Sequence, residues 1–157
     1  LENPLQFSST LDRYKGYQDA LKMAGIKVNP DYQRQGEHGR EEAKNLALSL
    51  LKQKDPPTAI FASNDVMAIA AMDAVRERGL RIPEDISIIG FDDVPQASLV
   101  RPSLTTVRQP LEQMGRTAAQ ILLDILRNPN HSHQRIELPT ELIIRDSTAK
   151  PKDKKGD

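Results

Sequence analysis

Cysteine is absent from these 157 residues, and aromatic side chains make up only 4% of them. Without thiols there is no disulfide framework, no thiol catalysis and no cysteine-ligated zinc. Lys+Arg and Asp+Glu are equal at 22 each, so the formal net charge is +0. No whole-molecule field therefore draws the chain to nucleic acid, as an excess of positive charge would. No apolar run approaches the ~20 residues needed to cross a bilayer, and no secretory leader is visible. The chain opens on Leu1 rather than methionine, so the expectation is that a segment once preceded it. What remains is an aliphatic composition, 38% hydrophobic, with length enough for one α/β domain of moderate core.

The stretch from Pro57 to Asp93 carries the strongest local signal. Thr58–Ala62 and Ile86–Phe91 are short apolar runs of the kind buried strands use. Between them Val66, Met67, Ile69, Ala70, Met72 and Val75 make a helix apolar on most of its circumference. Ser63 or Asn64 is placed to cap that helix, and Gly79 to end it in a left-handed turn. Strand, helix, strand predicts a right-handed βαβ unit with parallel strands. Ligands of open parallel sheets sit at the carboxyl ends of the strands. Asn64 and Asp92 fall at those ends, so the unit reads as one wall of a small-molecule site.

Elsewhere, Tyr14, Tyr17, Leu21 and Ala24 recur at helical spacing before Gly25, with Ser9 or Thr10 as the expected cap. Ile26–Tyr32 predicts a short strand, weakened by Pro30. Ala43, Leu46, Ala47, Leu50 and Leu51 predict a helix over Glu42–Lys52, broken by Asp55-Pro56-Pro57. Pro95–Val100 predicts a helical turn and Leu104–Arg108 a strand. Pro110 stands at an expected first helical position. The apolar stripe of that helix is Leu111, Met114, Ala118, Ile121, Leu122 and Ile125. Arg135–Leu138 and Glu141–Arg145 predict two short strands. The tail from Ala149 lacks the apolar content to order. A parallel α/β domain normally opens with a strand, and none precedes the first helix; the expectation is that it lies upstream, the alternative being a strand borrowed from another chain.

Three segments in order, PTAIFASNDVMAIAAMDAV, LRIPEDISIIGFDD and RPSLTTVRQP, resemble the effector-binding core of LacI/GalR-type bacterial transcriptional regulators, and the likeness runs from about Arg13 to Thr148. The resemblance implies a periplasmic-binding-protein-like lobe of type I, a three-layer αβα arrangement around a parallel sheet. Residues 1–148 would form the sensor domain and 149–157 a disordered tail. Residues 104–127 would cross to a second lobe that is incomplete here, most of it lying upstream in the family. The helix after Pro110 would then have no native partner in its own chain, and its stripe is expected to pack on a second copy.

The same likeness directs attention to particular side chains. Arg13, in STLDRYKGYQDAL, resembles the family's arginine that contacts effector hydroxyls or carboxylates, and a guanidinium offers a planar fork of donors for paired oxygens. Asn64 can both donate and accept. Asp92 can accept from two vicinal hydroxyls. His38 falls where the family often places a ring against the ligand, and Gln109 sits at the lobe crossing. Asp65 and Asp93 read as structural, and His131 and His133 as loop residues rather than metal ligands. The implied partners are a small-molecule effector, a sugar or a nucleobase, a second copy of the chain, and operator DNA through a helix-turn-helix outside these residues. Neither a GxxxxGK[ST] phosphate loop nor a GxSxG elbow occurs, so Asp65, Asp92 and Asp93 do not add up to an enzyme. No metal or other cofactor and no membrane role is expected. The alternative is a periplasmic sugar-binding protein of a transport system.

Overall fold

A computed structural model describes residues 8–36, 39–128 and 135–151. Its elements are α1 (Ser8–Met23), α2 (Arg40–Leu51), β1 (Ala59–Phe61), α3 (Asp65–Glu77), β2 (Ser87–Asp92), α4 (Pro95–Leu99), β3 (Thr105–Arg108), α5 (Leu111–Arg127) and β4 (Glu141–Ile143). The strands lie side by side in sequence order. β1, β2 and β3 are parallel, joined through α3 and α4. β4 runs antiparallel to β3, so the mostly parallel sheet carries one reversed edge strand. The reason is the route of the chain. Arg108, the last residue of β3, pairs with Glu141, the first of β4. The chain therefore leaves the sheet into α5 and comes back at the same rim, which reverses the strand that follows.

The register sets the two faces. Ile60 lies beside Ile88, and Gly90 beside Thr106, so these share one face, turned toward α3. That side holds the core. Ala43, Ala47, Leu50 and Leu51 of α2 are buried, as are Ala70, Ala71, Met72, Ala74 and Val75 of α3. The alanines let the two helices approach closely, and their packing is the most extensive helix–helix contact in the fold. On the other face Phe61, Ile89, Phe91 and Val107 are half-buried. From α1 the guanidinium of Arg13 reaches this side and lies over the Phe91 ring. Gly25 and Gly79 each adopt φ +69° just past a helix, where a side chain would be strained. The amides that follow close the turns, Ile26 N–H on the Leu21 carbonyl and Leu80 N–H on that of Val75.

Several boundaries differ from the sequence reading. Ile26–Tyr32 forms no strand; Pro30–Tyr32 is a 3-10 turn, with the Asn29 side chain accepting from Asp31 N–H. Proline removes a ladder donor, and asparagine before it supplies the cap that favours a turn. Ser9 and Thr10 lie inside the first turn of α1 instead of capping it. Pro110 is the residue before α5, not its first. Arg135–Leu138 pairs with no strand; it runs beside α5, where Ile136 and Leu138 face Met114 and Ile121 across a groove. Ala149 is tied to β2, its N–H donating to Ser87 Oγ at 3.1 Å. His38, His131, His133 and residues 152–157 lie outside the described residues.

α5 has no buried residue. Ile121 and Ile125 of its stripe are half-covered, whereas Leu122 is 57% and Leu126 70% exposed. Among the described residues, no helix is long and apolar enough to cross a membrane.

Candidate functional site

The carboxyl ends of β1 and β2 carry the side chains singled out from the sequence. Arg13 Nη1 donates to the Ser63 carbonyl at 2.7 Å, just past β1. Its guanidinium carbon sits 3.9 Å from the centroid of the Phe91 ring, a cation–π contact one residue before Asp92. Burial pulls the Arg13 pKa below the usual arginine value, and the charge of Asp92 pushes it part of the way back. The cation is thus held between a carbonyl and an aromatic face, beside an acid.

Asn64 ends the approach to α3. Its Oδ1 accepts from Met67 N–H at 2.9 Å, so the residue caps the helix. The capping role offered by the sequence for Ser63 or Asn64 falls to Asn64.

At the end of β2 the backbone turns through two left-handed residues, Asp92 at φ 114° and Asp93 at φ 57°. Neither is glycine, and such conformations persist only where the surroundings hold them. Asp92 Oδ1 accepts from Gln109 Nε2 at 2.6 Å, which joins the turn to the crossing before α5. Asp93 accepts from Arg108 Nε and from Arg145 Nη2, both at 2.6 Å, and its side chain is 8% exposed. Burial works to raise the Asp93 pKa, but the bonds from the two arginines outweigh it and leave the carboxyl below its ordinary value. Arg108 also approaches Glu141 at 3.4 Å across the strand pair. Asp93 is structural, as the sequence reading has it. Its arginine partners give no local signal in sequence, since Arg145 lies far along the chain.

Asp65, at the start of α3, is fully buried. Its Oδ1 accepts from the Thr106 hydroxyl at 2.6 Å and its Oδ2 from Val94 N–H at 2.8 Å. Burial raises its pKa, and those two bonds offset the effect only in part. Gly90 leaves room for it: a Cβ built there would lie 2.2 Å from Asp65 Oδ1.

These groups meet at one rim but do not line one hollow. A narrow cleft of about 80 Å³ runs between α1 and β1, touched by Arg13, Tyr14, Tyr32, Phe61 and Ser63. That is well below the ~300–1,000 Å³ of ordinary ligand pockets. A separate open basin of about 650 Å³ is lined by Asp92, Asp93, Arg108, Gln109 and Arg116. The rim carries donors and acceptors beside an open basin.

Residues 2–148 match the model of the periplasmic binding protein-like domain. The chain belongs to the periplasmic binding protein-like domain family. Within this family its similarity runs to LacI-family transcriptional regulators. It is 39% identical over 140 residues to the HTH-type transcriptional repressor PurR of Photobacterium profundum, covering 89% of this chain and 42% of that protein. It superposes on a transcriptional regulator CelR–cellobiose complex with a TM-score of 0.89 at 31% identity, over 94% of this chain and 45% of that one. A regulatory protein of the LacI family from Chloroflexus aggregans gives a TM-score of 0.85 at 38% identity, over 94% and 53%. The chain thus spans about 42% of the curated relative's length. These relatives are regulators, not transporters or enzymes, and the transport alternative is not favoured.

Proposed function

We propose that this chain is the effector-sensing part of a LacI-family transcriptional repressor. The observation that carries the proposal is Arg13 lying 3.9 Å over Phe91, which brings a guanidinium to the strand end that bears Asp92. A donor fork beside a carboxylate is the complement of a hydroxylated ring, and a sugar or related polyol is the first ligand class; a nucleobase is the second. Gln109, bonded to Asp92, belongs to the same wall. Asn64 contributes from the head of α3 while its Oδ1 caps the helix. The ligand's other side would rest on a second lobe contributed by residues outside this chain. Operator DNA would be met by a helix-turn-helix outside these residues. The working unit would be a homodimer, and effector binding would alter DNA affinity through different affinities in two states.

Titration calorimetry with cellobiose, D-galactose, D-glucuronate and guanine tests this on the longer protein that contains these residues. Saturable binding to one compound, lost in Arg13→Ala and in Asp92→Ala, supports the reading. Unchanged affinity in both variants refutes it.

A further inference from the structure

We propose that Asp65 is a positioning residue that sets the turn presenting Asp92 to the ligand. The inference rests on the reading of Asp92 as a ligand-binding acid, but its geometry stands independently. Asp92 and Asp93 are consecutive left-handed residues, and neither has the freedom of glycine. The first amide after them, Val94 N–H, is held by Asp65 Oδ2 at 2.8 Å. The other oxygen of the same carboxylate is fixed by the Thr106 hydroxyl at 2.6 Å, within β3. Thr106 is itself fully buried and lies beside Gly90 in the sheet. A carboxylate anchored on one side by the sheet thus dictates on the other where the chain goes after β2. Upstream, the turn is fixed by β2 pairing through Asp92. With Val94 pinned and β2 paired as far as Asp92, Asp92 and Asp93 must reverse the chain within a short span, and their left-handed φ values are the result.

The need for an acid is specific. Two donors converge on Asp65, and a carboxylate is acceptor-only with room for both. Glycine at position 90 belongs to the same device, because any side chain there would occupy the space of Oδ1. Loss of the acceptor would let Asp92 and Asp93 relax to negative φ. That would swing the Asp92 carboxylate away from the rim without touching any group that meets the ligand.

The test is nuclear magnetic resonance of this chain without ligand, comparing Asp65→Ala and Thr106→Val with the unchanged sequence. In Asp65→Ala the amide–α-proton couplings and carbon shifts at Asp92 and Asp93 should lose their left-handed signature. The Val94 amide should exchange about 10-fold faster, as for one lost hydrogen bond. Thr106→Val removes the anchor on the sheet side but leaves the acceptor for Val94, and should weaken the signature less than Asp65→Ala does. A folded Asp65→Ala protein that retains the left-handed couplings overturns the proposal. If Asp65→Ala does not fold, exchange in the unchanged protein decides. Val94 protected to the level of Ala68 in the first turn of α3 supports the assignment. Fast exchange at Val94 beside a protected Ala68 overturns it. A failure here would leave ligand binding by Arg13 and Asp92 untouched, and a failure of ligand binding would leave these couplings unchanged.

Discussion

Gly90→Ala is the smallest change that reaches the centre of this fold. The added methyl carbon would sit 2.2 Å from Asp65 Oδ1, 3.1 Å from Leu104 Cδ2 and 3.2 Å from Ala68 Cβ. The last two contacts are tight but tolerable. The first is short of van der Waals distance by about 1 Å, so the carboxylate must move. It cannot move and keep the 2.6 Å bond from Thr106. Crowding in a packed interior costs about 1–3 kcal/mol. Weakening a hydrogen bond to a charged acceptor costs about 1.5–3 kcal/mol more. Lower backbone entropy in the unfolded chain returns about 0.4–1 kcal/mol. The net expectation is a loss of about 1.5–5.5 kcal/mol.

Urea unfolding at constant pH measures that loss, and a double-mutant cycle identifies its cause. Asp65→Ala alone strands two buried donors, at about 1–3 kcal/mol each. In the double variant the obstructing oxygen is gone, and the methyl added by Gly90→Ala enters the space it leaves. The second substitution should therefore cost little in that background, giving a coupling of about 2 kcal/mol or more. Costs that add within about 0.5 kcal/mol would refute the reasoning, since independent sites behave that way.

Other outcomes follow from single contacts. Asp93 has a carboxyl held below its ordinary pKa, so its contribution to stability is complete above the unfolded carboxylate range of about 4 and fades as pH falls through the folded value. Asp93→Asn should accordingly cost stability at pH 7 and progressively less below pH ~4, read from urea midpoints across pH; a difference that does not shrink in acid would count against the arginine bonds. Asp65 behaves in the opposite sense. Its raised pKa means that ionisation opposes folding, so its term declines as pH rises above about 4 toward the folded value. Asn64→Ala should lose about 1 kcal/mol by removing the cap on α3, whereas Asn64→Ser should retain most of it; equal losses would show that the cap is not what Asn64 supplies. The exposed side of α5 should drive self-association of this chain: sedimentation should show mass rising with concentration, and Leu122→Glu with Leu126→Glu should abolish the rise. A monomer at all concentrations before substitution would rule that out.

The sequence was most informative where structure is decided locally. β1, α3 and β2 follow from two apolar runs flanking a helical pattern, and Asn64 and Gly79 mark the ends of the helix between them. Asp92 could be singled out as a candidate because motif and strand-end position agree, and Arg13, inside α1, through the resemblance alone. What escaped was set by distant partners. The direction of β4 depends on the rim to which the chain comes back after α5, and periodicity carries no record of that. Pro30 tipped an apolar segment into a 3-10 turn, where β-propensity alone gave a strand. The burial of Asp65 depends on Gly90 and Thr106, each in a different strand, and the pattern of α3 alone gives it only the value of a first-turn acid. The stripe of α5 was legible as an amphipathic helix, but whether anything covers it is a property of the rest of the fold.

The pair Asp92-Asp93 shows how geometry gives a physical reason for the distinction that the sequence reading draws between two adjacent acids. Either acid in GFDD could be written as the ligand's acceptor on chemistry alone. An ionised carboxylate offers about four lone-pair positions. Asp93 spends its acceptor capacity on two arginines at 2.6 Å and is nearly covered. A hydroxyl would have to displace a guanidinium to bind there, trading a charge-assisted bond for a weaker one. Asp92 lines the same basin but is bonded there by the neutral amide of Gln109. Exchanging that amide for a ligand hydroxyl is close to even in hydrogen bonds, and the remaining lone pairs are available to a second hydroxyl. The left-handed turn makes this division of labour possible by sending two adjacent carboxylates to different neighbours, Gln109 for one and Arg108 and Arg145 for the other. It follows that exchanging the roles by substitution should fail. Asp92→Asn would weaken binding while leaving the fold intact, and Asp93→Asn would weaken the fold first.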